Sequence, residues 1–129
     1  MKLTIVSCVY PPEPVVSAQT SVQIADFAQS QAACVQVITA FPNRPAGKIY
    51  PGYRRSLYKR EQISGRSAII RCFTTLSSHS SILSRSLENI TFGIASSLAL
   101  LFGNKPNVIY ADTWPIFAQV MAAWLLARL

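Results

Sequence analysis

An α/β fold with a parallel sheet is the class this sequence predicts, and three runs of residues predict it. Lys2 to Cys8 is a short strand-like run rich in apolar and β-branched residues. Ser17 to Gln31 follows helical spacing, and Cys34-Val35-Gln36-Val37-Ile38-Thr39 is another strand-like run. Strand, helix and strand within about 40 residues make a βαβ unit, whose crossover is expected to be right-handed. At 129 residues the chain suffices for one domain with a modest core.

The first strand reads as buried and parallel. It leads into Tyr10-Pro11-Pro12-Glu13-Pro14, a proline-stiffened turn with one carboxylate. In open α/β sheets ligands bind just outside the C-terminal ends of the strands, which makes this loop the first candidate site. The helix that follows is expected to present Ile24, Phe27 and Ala28 as its apolar stripe, widened by Ala25 and Ala32. Ser17 or Ser21 is the expected cap.

After the second strand the rhythm breaks. Phe41-Pro42-Asn43-Arg44-Pro45-Ala46-Gly47 and Tyr50-Pro51-Gly52-Tyr53 repeat turn chemistry. A loop this long in a small domain is usually functional. Leu57 to Gln62 and Ser67 to Phe73 flank Ser64-Gly65 and read as a hairpin or two short strands. A serine-rich segment, Thr74 to Ser81, carries the single histidine, His79, which reads as a surface loop residue. Leu83 to Phe102 is a long helix with a broad apolar face, closed at Gly103-Asn104.

Pro106 starts the next strand, Asn107 to Asp112. Asp112 or Thr113 is placed to cap a last helix that Trp114-Pro115 opens and that runs to Leu129. Apolar residues wrap most of this helix, as expected where both sides are covered.

Half the residues are hydrophobic and only 13% are charged, against about 25% charged in ordinary soluble domains. Either the chain associates with something, or it is part of a larger protein whose remainder covers its surface. The net charge of +7 is concentrated. Arg44, Lys48, Arg54, Arg55, Lys59, Arg60, Arg66 and Arg71 are eight of twelve basic residues, in a stretch whose single acid is Glu61. Such a stretch attracts anions. Tyr50, Tyr53 and Tyr58 interleave with it as base-stacking aromatics would, but no nucleic-acid module signature is present, and no nucleic-acid partner is expected.

Cys8, Cys34 and Cys72 lack metal-ligand spacing and read as buried free thiols of a reducing compartment. Met1-Lys2 enters a strand, not an apolar signal core, so a cytoplasmic location is expected. Ile90 to Phe102 shares its helix with Arg85 and Glu88, and the uncharged run from Thr113 spans only about 15 residues, short of the roughly 20 a membrane span needs.

Catalytic signatures are missing. His79 has no nucleophile elbow near it, and the acids form no close pair in sequence. The first turn lacks Gly-x-Gly-x-x-Gly, Thr39-Ala40-Phe41 stands where a ribose-binding acid would follow the second strand, and no Gly-Lys-Ser/Thr phosphate loop occurs. No metal and no cofactor is expected. What remains is a pair of acids where a parallel sheet puts ligands, Glu13 after the first strand and Asp112 at the end of the last. A carboxylate between prolines has little evident structural purpose, which favours a functional role for Glu13.

Three segments resemble family 4 glycosyltransferases of the GT-B fold: Tyr10 to Pro14, the run Phe41 to Arg55, and Val108-Ile109-Tyr110-Ala111-Asp112-Thr113-Trp114-Pro115. Of these, Phe41 to Arg55 is similar to the proline-, glycine- and arginine-rich loop of bacterial members that build exopolysaccharide or O-antigen. The resemblance implies a Rossmann-like parallel sheet with flanking helices: an incomplete N-terminal, acceptor-side domain over residues 1–129, without the C-terminal nucleotide-sugar domain. The implied enzyme is a retaining, metal-independent transferase. It would move a sugar from a nucleotide-sugar donor, a substrate and not a cofactor, to a glycan or lipid-linked acceptor at the cytoplasmic face of the inner membrane.

No catalytic residue is expected within this part. Pro12, Glu13, Pro14, Val15, Val16, Ser17, Asp112 and Thr113 are expected on the acceptor side, and Arg44, Lys48, Arg54, Arg55, Lys59 and Arg60 facing anionic groups or the membrane. Many relatives have Gly-Gly where Val15-Val16 stands. Branched side chains keep backbone amides farther from a ligand, so the loop is expected to shape an acceptor pocket and not to hold phosphate. The rival expectation is a non-catalytic docking module that forms a homodimer through its last helix and binds anionic membranes through the basic loop.

Overall fold

The computed structural model describes residues 1–112 and 116–128. In chain order the elements are β1 (Lys2–Val6), α1 (Val16–Ser30), β2 (Cys34–Ala40), β3 (Tyr58–Ser64), β4 (Ser67–Cys72), α2 (Ile82–Phe102), β5 (Val108–Ala111) and α3 (Ile116–Leu126). The expected opening of the last helix at Trp114-Pro115 and its Thr113 cap lie outside the described residues; α3 ends at Leu126, with Ala127 and Arg128 in a turn, short of the expected run to Leu129.

Within the described residues the strands form one open sheet in the order β3-β4-β2-β1-β5. β1 pairs in parallel with β2 on one side and β5 on the other. β4 continues the parallel set beside β2, and β3 closes that edge antiparallel to β4. The Ser64-Gly65 turn joins β3 to β4 with Gly65 at φ 51, a conformation that suits a residue without Cβ. The fold is thus α/β and Rossmann-like.

Successive side chains of each parallel strand point to opposite faces, and each face has its own helical cover. Leu3, Ile5, Val35 and Val37 meet Ala25 and Ala28 of α1. Val6, Ile38 and Cys72 meet Phe92, Ala95 and Ala99 of α2 and Ala118, Ala122 and Leu125 of α3. Complete burial of a side chain such as Phe92 contributes about 2–3 kcal/mol.

α1 departs from its expected stripe. Its buried residues are Ala18, Ser21, Ala25 and Ala28, a row of small side chains that lets the helix lie close on the sheet. Phe27 falls on the far side and is 70% exposed, and Ala32 lies past the helix, exposed, at φ 58. Neither expected serine caps α1: Val15 holds the cap position without a side-chain bond, Ser17 is already helical, and Ser21 is interior. α2 is capped, by Ser81, whose hydroxyl accepts from the Ser84 amide at 3.2 Å. Gly103 ends α2 as expected, through close approach: a Cβ there would meet the Ala99 carbonyl oxygen at 2.6 Å.

α3 is not covered on both sides. Ile116, Phe117, Val120 and Trp124 are exposed while Ala118, Ala122 and Leu125 are buried. Among the described residues no helix is long and apolar enough to cross a membrane.

Candidate functional site

Chain direction reverses its placement at β1: the sheet grows from β1 through β2 and β4, then returns to add β5 on the other flank. Such a switch point opens a crevice beyond the C-terminal ends of the two diverging strands. Here those ends are tied. The Asp112 amide donates to the Val6 carbonyl at 2.9 Å, and the buried Ser7 hydroxyl lies 3.3 Å from Asp112 Oδ2 and 2.9 Å from the Val9 carbonyl. β1 therefore stops at Val6, two residues earlier than its apolar run suggests, because Ser7 turns the chain into the loop.

That loop packs inward at Cys8, Val9, Tyr10 and Glu13 and outward at Pro12 and Pro14, with exposed Val16 beginning α1. Glu13 is only 3% exposed. One carboxylate oxygen accepts from the Tyr10 amide at 3.2 Å. The other accepts from the amides of Asn43 and Arg44, each at 2.9 Å. This corrects the expectation that Glu13 lacks a structural purpose: it fastens the loop after β1 to the loop after β2. Burial pushes its pKa up to about 7, even though the amides of Asn43 and Tyr10 and the nearby Arg71 favour the charged form.

The loop after β2 is held by its own contacts. Gly47 donates its amide to the Asn43 carbonyl at 2.7 Å, the Tyr50 amide donates to Pro42, and the Tyr50 hydroxyl donates to the Arg44 carbonyl. Gly47 sits at φ 71 against the backbone of Ser77, whose carbonyl oxygen would lie 2.3 Å from an added Cβ. Arg44 reaches Glu88 at 2.7 Å and Arg85 reaches the other oxygen of the same carboxylate at 3.0 Å. Burial raises the Glu88 pKa despite Arg85.

The expected anion-facing set is accordingly divided. Arg44 leaves it: its side chain is 17% exposed and neutralises a buried carboxylate. Lys48, Arg54, Arg55, Lys59 and Arg60 are not enclosed in this way, but they do not form one patch. Lys59 and Arg60 are neighbours on a strand and point to opposite faces. Lys59 lies 3.5 Å from Glu61, while Arg55 stacks 4.3 Å over Phe73. Arg71, 1% exposed, binds Glu61, the Ala40 carbonyl and the Pro11 carbonyl, and faces the Tyr53 ring at 4.9 Å.

Of the expected acceptor-side residues, Pro12, Glu13, Pro14, Val15, Val16 and Ser17 do share one loop-helix junction at the C-terminal edge, and Asp112 stands at the adjoining strand end; Thr113 lies outside the described residues. Ser7, Asn43, Arg71, Arg85 and Glu88 belong to this edge without having been expected there. Charges at Arg71 and Glu88 within apolar elements are the signal the sequence offers, since a charge on a buried face requires a partner.

Cys8 and Cys72 are buried thiols as expected and are not activated, while Cys34 is only half-buried. Burial, followed by the charges of Glu88 and Glu13, raises the Cys8 thiol well above its ordinary value, and burial pushes Cys72 up to about 12. His79 is exposed, and its carbonyl accepts from the hydroxyls of Ser77 and Ser84. Among the described residues no group of three or more His, Cys, Asp or Glu is placed to hold a metal ion. A hollow of about 600 Å³ lined by Met1, Gln29, Cys34 and Asn107 lies at the opposite, N-terminal edge of the strands. The C-terminal edge thus fastens two loops together and leaves Pro12, Pro14 and the start of α1 on its surface.

No protein-family model matches the chain, and no curated protein matches it.

Proposed function

We propose that the chain is the acceptor-side domain of a retaining glycosyltransferase of the GT-B type. In this reading the whole enzyme moves a sugar from a nucleotide-sugar donor to a glycan acceptor, lipid-linked, at the cytoplasmic face of the membrane. The observation that carries the reading is the Glu13 latch. The two loops that bear the resemblance, Tyr10–Pro14 and Phe41–Arg55, are far apart in sequence and are fastened together at the C-terminal edge, beside the switch point. Pro12, Pro14, Val16 and Ser17 then form the wall an acceptor meets, Asp112 is its hydroxyl-binding neighbour, and Glu13 is a positioning residue beneath it.

The test is an assay of the gene product that carries this chain, with labelled nucleotide sugars and glycolipid acceptors. Transfer that survives chelation of metals, with retained anomeric configuration and a raised acceptor KM in Asp112→Asn, is the expected result. Absence of transfer across hexose, uronic acid and amino-sugar donors overturns the reading. The exposed face of α3, with Ile116, Val120 and Trp124, favours an alternative reading, a docking module that dimerises there. Light scattering distinguishes it: a dimer that Val120→Glu dissociates supports that reading.

A further inference from the structure

α2 carries another exposed apolar surface, on its outer side. Leu83, Leu87, Ile90, Ile94, Leu98 and Leu101 recur at intervals of three and four residues, and each is more than a third exposed. Where this stripe borders the hairpin, the surface becomes concave. Two adjoining hollows of about 560 and about 320 Å³ share Tyr58 and Leu98. Ile70 and Phe102 complete one, and Phe73 and Ile94 the other. The small side chains of Ala95 and Ala99 leave the space open. The Tyr58 hydroxyl is already spent on the Ala95 carbonyl at 3.0 Å, so the walls offer hydrocarbon and few polar groups.

Charge decides what fits there. Arg60 lines the first hollow. Arg55 lies over Phe73, which lines the other. None of the five acids of the chain lines either hollow. Glu61, the nearest in sequence, turns to the opposite face of β3 and binds Arg71 and Lys59. The groove is thus mostly apolar, with one guanidinium in its lining and another over the Phe73 ring. In a two-fold contact a further copy of this chain would bring the same cations and no acid, so that self-contact is opposed by like charges. An extended peptide would lay a row of backbone N–H and C=O groups against lining side chains that are mostly hydrocarbon. A hydrocarbon chain has no such requirement, and an anionic head satisfies a guanidinium by charge-assisted hydrogen bonds.

We infer that the groove between α2 and β3 is a binding site for a single-chain amphiphile with a phosphate head, its alkyl chain on Ile94 and Leu98 and its head on Arg55 or Arg60. The site is separate from the C-terminal edge and does not depend on the transferase reading.

Titration of the full chain with dodecyl phosphate below its micelle concentration, followed by calorimetry and backbone amide NMR, tests this. Expected are saturable one-to-one binding, shifts centred on β3 and residues 91–103, and no binding of inorganic phosphate. The double substitution Arg55→Gln, Arg60→Gln is expected to weaken binding about fivefold and to remove most of its salt dependence. Leu98→Glu, checked for folding by circular dichroism, is expected to abolish it. Equal affinity for dodecyl maltoside, uptake only above the micelle concentration, or shifts confined elsewhere overturns the proposal. So does a dimer that Leu98→Glu dissociates, which assigns the groove to another copy of the chain.

Discussion

Arg44 and Arg71 belong to the same run of cations as Arg54 and Arg60, yet the first two lie inside the molecule and the others on its surface. The inner pair is chosen by acids: Glu88, from α2, takes Arg44, and Glu61, from the neighbouring strand, takes Arg71. The inner cations close the C-terminal edge of the sheet. The outer ones, on the hairpin and its approach, flank apolar surface. A charge run in sequence is therefore not one surface, because acids elsewhere in the chain divide it according to the topology.

The division is broken most severely at Arg71. Replacing it by Met leaves Glu61 with Lys59 alone and removes the guanidinium that donates to the carbonyls of Ala40 and Pro11. Urea unfolding is expected to show a loss of about 3–5 kcal/mol, against less than about 0.5 kcal/mol for Arg54→Met on the surface. Equal small losses at both positions would erase the distinction.

Glu13 comes next. Glu13→Ala removes the acceptor of three amides and is expected to cost about 3 kcal/mol, since each buried donor left unmet costs about 1–3. The pH dependence sharpens the point. The folded-state pKa of about 7 stands above the ordinary 4.5, so between those values the folded chain holds a proton that the unfolded chain has released. Stability must then fall as pH rises through this window, by about 3 kcal/mol at most, and level off above it. Glu88, also raised, acts in the same direction. Glu13→Gln should flatten most of the slope in unfolding curves taken from pH 4.5 to 8; an unchanged slope assigns it to another group.

Much of the architecture is legible in the residues. β-branched runs, a helix with no internal proline and Gly65 between two strands are local signals, and β2, the hairpin and α2 form where those signals lie. Phe27 escapes its expected place because periodicity counts apolar residues without regard to size, while the sheet admits the row Ala18, Ser21, Ala25 and Ala28. Glu13 stands out in the sequence as a site residue, but its purpose does not. Its partners, Asn43 and Arg44, are some 30 residues away, and only the parallel pairing of β1 with β2 brings the two loops together. The inward turn of Arg44 is hidden for the same reason, as Glu88 lies on an element whose packing the local pattern does not specify.

The loop after β2 offers a smaller test within one segment. Gly47 and Gly52 both have positive φ, 71 and 87. Gly47 also abuts the Ser77 backbone, whereas nothing lies within 4 Å of a Cβ at Gly52. Gly52→Ala should cost about 1 kcal/mol, the left-handed penalty alone. Gly47→Ala should cost about 2 kcal/mol or more, since backbone contact adds to that penalty. It should also loosen the loop, which limited proteolysis near residue 47 would detect. Equal costs would mean that the packing on Ser77 contributes nothing to holding the latched edge.

The smallest effect separates two surface cations. Arg54 and Arg55 are adjacent and exposed, but the Arg55 guanidinium lies 4.3 Å over the Phe73 ring. An exposed cation–π contact contributes about 0.5–1 kcal/mol. Arg55→Gln should therefore destabilise by about 0.5 kcal/mol more than Arg54→Gln, a difference that paired urea titrations resolve when the two slopes agree. Because the attraction is electrostatic, the difference should shrink in high salt. A difference that persists in salt would instead come from the apolar stem of Arg55 packing on Phe73, and would make Arg55 part of the apolar wall in place of the charge at its end.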